Sequence, residues 1–330
     1  MCLNNVCRQI KQSTAAKDFK EKKLMGHRLG KNRFAYVFYA TDNKYAVAVC
    51  VAVKLLKQIS IRDDVDFVVL HLPVTKYILN TMHKMDIITK KVDALPYLNN
   101  GYFKDSLIKL RIFQLIQYDR IVFLDSDTIP LKSLDHLFSL PFNEMIASPR
   151  AYWLRQPFVT SLLLVVKPSL MMWNRVRRHF ETAFEKKYYD MDIINLEFKE
   201  EIHYLSDEYG CLNSEWEDKD FTYHFGNPEK SHEKIRVVHF TALGKPWLYH
   251  PDKVCYLRPN AHPKFRILWE KWWSTRDQII KESPLISRIK FSFHKYTSQK
   301  DKLKWVRYLR TRIFKSSHRR TMSIGIKNDR

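Results

Sequence analysis

The chain has 330 residues, of which 45% are hydrophobic and 28% are charged, and its formal net charge is +22 at pH 7. This apolar content is ample for a folded core, and no repeat or low-complexity segment is present, so a fibrous or wholly disordered chain is excluded. The most apolar stretches, residues 46–53 and 162–166, are far shorter than the roughly 18 to 20 residues that cross a bilayer.

The positive charge is concentrated at the two ends of the chain. Residues 1–33 carry nine Lys or Arg against two acids, and residues 285–330 carry fourteen against two, so residues 34–284 are close to neutral. This distribution predicts a folded domain at 34–284 with a basic N-terminal extension and a basic C-terminal tail. A nucleic-acid enzyme is expected to have a basic surface on its folded domain, so a specific nucleic-acid partner is not predicted.

The two flanks also carry expectations about location. Residues 300–315 place apolar side chains at helical spacing among many cations, which suits either a helix packed on the domain or peripheral contact with an anionic membrane. The N-terminus has no apolar segment of the signal-peptide kind, so a soluble, cytoplasmic chain is expected from residues 1–33. The sequence makes no prediction of the oligomeric state.

The middle of the chain alternates strand-like and helix-like patterns, which predicts an α/β fold with a mostly parallel central sheet flanked by helices. The predicted strands are residues 34–39, 65–70, 86–92, 121–124, 161–166 and 236–240. The predicted helices are residues 45–57, 75–85, 106–118 and 168–184. In this arrangement residues 34–150 form a nucleotide-binding half, and residues 151–284 form the substrate side of the cleft.

Two carboxylates, Asp125 and Asp127, directly follow the predicted strand at residues 121–124. Acids at the carboxyl end of a buried strand lie where open α/β sheets bind their ligands. Two hard oxygen ligands at that place suit a divalent cation that carries a phosphorylated substrate. The alternative is a simple turn, because Asp and Ser favour turns and Pro130 follows.

Three further polar residues become candidate site residues only in combination with these acids. His239 closes the last predicted strand, and an imidazole can complete a coordination shell that two carboxylates begin. Lys245 follows six residues later and could neutralise phosphate charge. Lys109 lies in the predicted helix that precedes the acidic strand. Alone, His239 would be a structural residue and Lys109 a solvated helix lysine.

Seven short motifs occur in a characteristic order between residues 34 and 275. They are YATDNKY at 39–45, IKL at 108–110, VFLDSDT at 122–128, LDHLF at 134–138, VVKPS at 165–169, YDMDIIN at 189–195 and HFTALGKPW at 239–247. In this order they resemble glycosyltransferase family 8, the group that includes glycogenin, and most closely its fungal branch of Golgi N-acetylglucosaminyltransferases.

The resemblance implies a GT-A-like nucleotide-diphospho-sugar transferase fold, a Mn²⁺ (or Mg²⁺) ion, a UDP-sugar donor and a Golgi location. The metal ligands that it implies are Asp125, Asp127 and His239. The catalytic residues that it implies are Asp190, Asp192 and Lys245, the first two near the transferred sugar and the acceptor and the third at the diphosphate. The donor-binding residues that it implies are Thr41 and Tyr45 against the uridine, Lys109 and Ser126 near the nucleotide sugar, and Lys245. Trp247 is expected either to cover the site or to belong to the core.

The activity implied is a retaining transfer of a sugar, GlcNAc or another hexose, from a UDP-sugar to an acceptor glycan. Some positions depart from the glycogenin pattern: Leu162 stands where glycine is usual, Met191 where glutamine is usual, and Gly244 two residues beyond the usual glycine. A glucosyltransferase that acts on protein tyrosine or glucan, and an inactive scaffold of the same fold, stay as alternatives. A dehalogenase-type phosphatase is disfavoured because Thr128 directly follows Asp127, without the glycine between them that such enzymes have.

Overall fold

The computed structural model describes residues 33–94, 107–180, 188–219, 224–227 and 233–289. Nearly all of the predicted basic extension and most of the predicted basic tail, including the helical pattern at 300–315, lie outside the described residues. Among the helices in these ranges, none is long and apolar enough to cross a membrane.

The main sheet has seven strands in the order β3-β2-β1-β4-β7-β6-β8. These strands are β1 Phe34–Ala40, β2 Val65–His71, β3 Ile87–Lys91, β4 Arg120–Leu124, β6 Ile146–Pro149, β7 Leu163–Val166 and β8 Ile202–Leu205. Strand β7 is antiparallel to both of its neighbours, and the other neighbouring pairs are parallel. The prediction of a mostly parallel sheet is therefore confirmed, and the sheet continues without a break across residue 150.

A second sheet of three short strands has the order β5-β10-β9. Its strands are β5 Thr128–Pro130, β9 Cys211–Leu212 and β10 Val237–His239. The register places His239 opposite Thr128 on one side and opposite Leu212 on the other. Because β5 begins directly after Asp127, this small sheet brings the end of β10 to the acidic block.

The α-helices flank the main sheet. They are α1 Asn43–Ile59, α2 Lys76–Lys84, α3 Leu170–Arg177, α4 Asp190–Glu197, α5 Pro251–Leu257 and α6 Pro263–Glu282. The helix predicted at 168–184 is shorter than expected, because α3 ends at Arg177 and residues 181–187 lie outside the described ranges. Strands β5, β6, β8 and β9 and the helices α4 to α6 were not predicted.

The segment predicted as an α-helix at 106–118 is instead a 3₁₀-helix, Leu107–Gln114, so that prediction was wrong in type. Six of its eight side chains are buried, whereas an amphipathic α-helix would leave one face in water. Because most side chains of this segment are packed against the rest of the protein, tertiary contacts rather than the apolar spacing determine its tighter 3₁₀ geometry.

Side chains alternate between two cores, one on each face of the main sheet. Along β1, Tyr36 and Phe38 point into the core shared with α1 and α6, whereas Ala35 and Val37 point into the core shared with the 3₁₀-helix, α3 and α4. The sheet is therefore covered on both faces. The space left for a ligand lies at the carboxyl ends of β1 and β4, which are parallel neighbours.

Candidate active site

The acidic block is both a strand end and a turn. The Asp125 backbone N–H donates to the Leu162 carbonyl at 2.8 Å, and the Asp125 carbonyl accepts from the Thr128 hydroxyl at 2.6 Å. The Ser126 hydroxyl donates to the Tyr39 carbonyl, which ties the turn to the end of β1. The backbone of the block is therefore held on both sides, and both carboxylates project from a fixed turn.

Asp125, Asp127 and His239 converge, although the imidazole is 112 residues from Asp127 along the chain. One ligand atom from each lies within 4.8 Å of the others. The donors are two carboxylate oxygens and an imidazole nitrogen, a set without soft sulfur. That chemistry fits Mn²⁺ or Mg²⁺ better than it fits a thiolate-preferring metal.

Asp127 is the most strongly paired acid of the three. It is 3% exposed, and its Oδ2 faces His239 Nε2 at 3.2 Å and forms an ion pair with Lys245. Burial opposes ionisation of this carboxyl, but Lys245 and His239 outweigh it and hold the pKa of Asp127 well below its usual range. Asp127 is therefore an anion at neutral pH, as a metal ligand must be.

Lys109 is a buried cation between two acids, and the solvated-lysine alternative is wrong. Its side chain is 4% exposed, and Nζ lies 2.6 Å from Asp125 Oδ1 and 2.9 Å from Asp190 Oδ2. The rings of Tyr39 and Phe123 lie beneath it, with centroids 5.2 and 5.6 Å from Nζ. Burial raises the pKa of Asp125, while Lys109 opposes that shift.

Asp190 begins α4 and is buried beside the acidic block. Besides Lys109, it accepts a hydrogen bond from the Ser161 hydroxyl. Asp192 plays a different structural part, because its Oδ2 accepts from the Tyr189 backbone N–H at 2.9 Å and caps the same helix. Of the two acids, Asp190 is thus the one joined, through Lys109, to the Asp125–Asp127–His239 cluster.

The residues expected at the uridine lie around the start of α1. Thr41 directly follows β1 and is half-buried, and Tyr45 lies in the first turn of the helix, which the Asp42 side chain caps. Trp247 is 2% exposed and packs edge-on against Tyr45 with ring centroids 4.9 Å apart. Of the two expectations for Trp247, core is therefore the correct one, and its ring supports Tyr45.

Asn213 is a positioning residue that the sequence did not indicate. It is fully buried, its Oδ1 accepts from the Thr241 and Ala242 backbone N–H groups at 2.8 Å each, and its Nδ2 donates to the Ala242 carbonyl at 3.1 Å. The loop that it holds joins His239 to Lys245. The only signal in the sequence was a lone Asn, and its partners lie 28 and 29 residues away.

That loop also contains two left-handed residues, Leu243 at φ 59° and Gly244 at φ 84°. A left-handed conformation costs little for glycine but is strained for leucine, so the surrounding contacts must hold it. Gly244, which lies two residues beyond the usual glycine position, therefore allows the turn that places Lys245 next to Asp127.

Replacing Asn213 by Ala is expected to lower the free energy of unfolding by about 2 kcal/mol, since two half-buried backbone donors lose their acceptor. Because Lys245 and His239 would then be held less firmly, we expect the activity that the family resemblance implies, release of UDP from a UDP-sugar, to slow about a hundredfold. Urea unfolding and a UDP-release assay measure the two effects. Asn143→Ala, at an exposed position, is the matched control, and an Asn213→Ala protein with the wild-type rate would contradict the positioning role.

The bulky residue that replaces glycine at 162 does not narrow the site. The Leu162 side chain is 1% exposed and belongs to the core that α1 and α6 share. Its carbonyl still accepts the Asp125 N–H. The larger side chain at position 162 is therefore accommodated in this core.

Comparisons with known proteins show similarity in sequence and in fold. Residues 36–182 match the family described as Glycosyl transferase family 8. Glucose N-acetyltransferase 1 of Aspergillus fumigatus is 32% identical over 169 residues, which are 45% of this chain and 44% of the relative. Glucose N-acetyltransferase 1 of Gibberella zeae is 30% identical over 158 residues, which are 44% of this chain and 35% of the relative.

Among solved structures, the galactosyltransferase LgtC in complex with donor and acceptor sugar analogs is similar in fold. The TM-score is 0.54 at 15% identity, over 73% of this chain and 95% of LgtC. The predicted GT-A fold is confirmed. The chain matches less than half the length of the two fungal relatives.

Proposed function

Because residues 36–182 match glycosyltransferase family 8, we propose that the chain is a metal-dependent retaining glycosyltransferase that moves a sugar from a UDP-sugar to an acceptor glycan. The observation that carries the proposal is the convergence of Asp125, Asp127 and His239 within 4.8 Å, with Lys245 on one side. Lys109 lies on the other side. Oxygen and nitrogen ligands for a hard cation, with two lysine ammonium groups paired to the acids, suit a metal and the diphosphate that it carries.

In this proposal Asp125, Asp127 and His239 would hold Mn²⁺ or Mg²⁺. Such an ion, when bound, stabilises the negative charge that grows on the departing UDP. Lys245 is 26% exposed on its side chain and would turn from Asp127 to the diphosphate, adding to that stabilisation. Charge of this kind grows mainly in the transition state, so both contributions accelerate transfer rather than only tighten binding.

The other residues would bind and orient the two substrates. Thr41 and Tyr45 would lie against the uridine, and Ser126 would keep the acidic turn against β1. Lys109 would stand next to the sugar, close to Asp190, its partner at 2.9 Å. Asp190 would orient the donor or the acceptor, while Asp192 would act chiefly by capping α4.

Retention at the anomeric carbon is what the family resemblance implies, and no residue is assigned as a covalent nucleophile. Asp190 already accepts from Ser161 and Lys109, which suits an orienting group more than an attacking one. We therefore propose that the leaving group departs and the acceptor attacks on the same face of an oxocarbenium-like carbon.

GlcNAc or another hexose is the sugar that we propose, because the motifs resemble the fungal branch more than glycogenin. The names of the two fungal relatives refer to a glucose N-acetyltransferase. The Golgi is the compartment that the same resemblance suggests, and immunofluorescence of the tagged full-length protein against a Golgi marker would test it.

The test is to incubate the full chain with a panel of UDP-sugars, with Mn²⁺ or with a chelator, and to measure released UDP. We expect one donor to be turned over only when Mn²⁺ is present. We expect His239→Ala to need at least about tenfold more Mn²⁺ for half its maximal rate, because a direct ligand contributes no less than the outer-shell groups whose loss weakens metal binding by 10–100-fold.

His83→Ala is the matched control, since His83 is an exposed histidine whose ring contacts Thr89. Its Mn²⁺ requirement is expected to equal that of the wild type. Wild-type protein that neither releases UDP nor binds it in the presence of Mn²⁺ would overturn the proposal and favour an inactive scaffold of the same fold.

A further inference from the structure

We propose that a cavity of about 800 Å³ beside the 3₁₀ segment Asn213–Trp216 is the acceptor subsite, and that it takes an uncharged saccharide. The residues on which the inference depends are Tyr152, Trp153, Glu215, Glu217, His224 and Arg258. This inference rests on the proposed function, because it assigns the acceptor of the same reaction. The volume lies within the roughly 300 to 1,000 Å³ of small-molecule sites.

One wall of the cavity is aromatic and rigidly built. The Tyr152 ring stacks on the His224 ring with centroids 4.2 Å apart and an interplanar angle of 15°. Trp153 stands edge-on to Tyr152 at 5.1 Å and is half-buried. Flat rings held in this way offer an apolar surface to the C–H face of a sugar ring without the loss of much side-chain entropy.

The other wall supplies fixed polar groups. Both oxygens of Glu215 are used within the protein, because they accept from the Tyr152 hydroxyl and the His224 backbone N–H at 2.9 Å each. Glu217 forms an ion pair with Arg258 at 2.5 Å, with side chains 29% and 16% exposed. Glu215 therefore shapes the wall, and Glu217 and Arg258 present a paired acceptor and donor to hydroxyl groups.

The cavity is connected to the Asp125–Asp127–His239 cluster through Leu212. The Tyr152 hydroxyl accepts from the Leu212 backbone N–H at 3.0 Å, and Leu212 is the strand partner of His239. Ser214 and Glu215 directly follow Asn213, which holds the loop between His239 and Lys245. A saccharide in this cavity would thus lie on elements that also position the donor site.

Charge decides what kind of saccharide fits. Three carboxylates, Glu215, Glu217 and Asp218, line the cavity against one guanidinium, that of Arg258. A phosphorylated, sulfated or uronic-acid ligand would meet net repulsion here, as would the diphosphate of the donor. An uncharged sugar, whose hydroxyls donate to carboxylates and whose ring faces stack on Trp153, is the complementary ligand.

The experiment measures binding of probes to the full chain by ligand-observed NMR and calorimetry, with UDP and Mn²⁺ present as reporters of the donor site. The uncharged probes are maltose, cellobiose, N,N′-diacetylchitobiose and α-1,6-mannobiose, and a sulfated heparin disaccharide is the anionic probe. We expect at least one uncharged probe, and not the anionic one, to bind the wild type.

Trp153→Ala is expected to weaken that binding about tenfold and to leave UDP binding unchanged. Glu217→Gln keeps the shape of the cavity wall and is expected to weaken saccharide binding severalfold. This second variant keeps the inference testable if Trp153→Ala does not fold. Tyr256→Ala is the matched control, since Tyr256 is 83% exposed and is not among the residues that line the cavity.

The results separate the two proposals. Wild-type protein that binds UDP but none of the uncharged probes would overturn the acceptor subsite and leave the proposed function standing. Unchanged saccharide binding in folded Trp153→Ala and Glu217→Gln, or preferred binding of the anionic probe, would overturn it as well. Protein that binds neither UDP nor a saccharide would overturn both.

Discussion

The Asp125→Asn/Asp127→Asn protein is expected to remain folded but to lose metal-dependent release of UDP by at least about a thousandfold. Asparagine keeps the shape of each side chain but removes both negative charges from the three-residue cluster. One imidazole with two neutral amides is a poor site for a hard divalent cation. Loss of a single stabilising donor in an active site already slows reactions by about 10² to 10³.

The fold should tolerate this double change because the cations keep other partners. Lys109 still faces Asp190 at 2.9 Å, and the Lys245 side chain is exposed enough to be hydrated. Ligand binding provides a second readout, since a ligand at a hundred times its Kd stabilises the native state by about 2.7 kcal/mol. We therefore expect Mn²⁺ with UDP to raise the melting temperature of the wild type and not that of the variant.

Asp63→Asn/Asp252→Asn is the matched control, because it removes two carboxylates from exposed positions. Both its UDP release and its stabilisation by Mn²⁺ with UDP should equal those of the wild type. A folded Asp125→Asn/Asp127→Asn protein with more than a tenth of the wild-type rate would show that these carboxylates do not hold the metal.

The acidic block could be located from the sequence because its signal is local. Four buried apolar residues lead directly into Asp125, and the structure places that strand in the centre of the sheet. The small sheet could not be predicted in the same way. Strand β5 has three residues and includes Pro130, and its partner β10 lies more than 100 residues further along the chain.

Lys109 is a candidate site residue because of the resemblance rather than the local pattern. Its spacing suggested a solvated lysine on an α-helix, whereas the structure buries it in a 3₁₀-helix between two carboxylates. Neither local pattern nor resemblance indicated Asn213, because its importance comes from hydrogen bonds to a loop that folding brings close. Local pattern predicts strands and their ends, but the pairing of buried polar groups depends on packing.

The domain limits and the individual roles of the site residues stay predictions. The sheet passes from β6 to β7 and β8, on both sides of the division proposed at residue 150. Asp125 and Asp190, which were assigned to different halves, both contact Lys109. The two halves therefore share one cluster of charges.

Replacing Lys109 by Met is expected to lower the free energy of unfolding by about 3 to 5 kcal/mol in the absence of metal, because it leaves buried carboxylates without their cation. For a domain of this size that change lowers the melting temperature by roughly 10 °C. Lys54→Met is the matched control. Its ion pair with Glu282 is at 2.6 Å, but the glutamate side chain is 59% exposed, so the expected loss is below about 1 kcal/mol.

A double-mutant cycle identifies the cause of the Lys109 effect. Lys109→Met leaves the Asp125 and Asp190 carboxylates without their cation. If repulsion and desolvation of these carboxylates cause the loss of stability, adding Asp125→Asn removes one of the charges and should restore part of the stability. The Asp190 carboxylate keeps its hydrogen bond from Ser161 in both proteins. A Lys109→Met protein that melts within 2 °C of the wild type, by the roughly 2 to 4 °C per kcal/mol of such domains, would contradict the electrostatic role. A double variant no more stable than Lys109→Met would instead assign the loss to packing of the lysine stem on Tyr39 and Phe123.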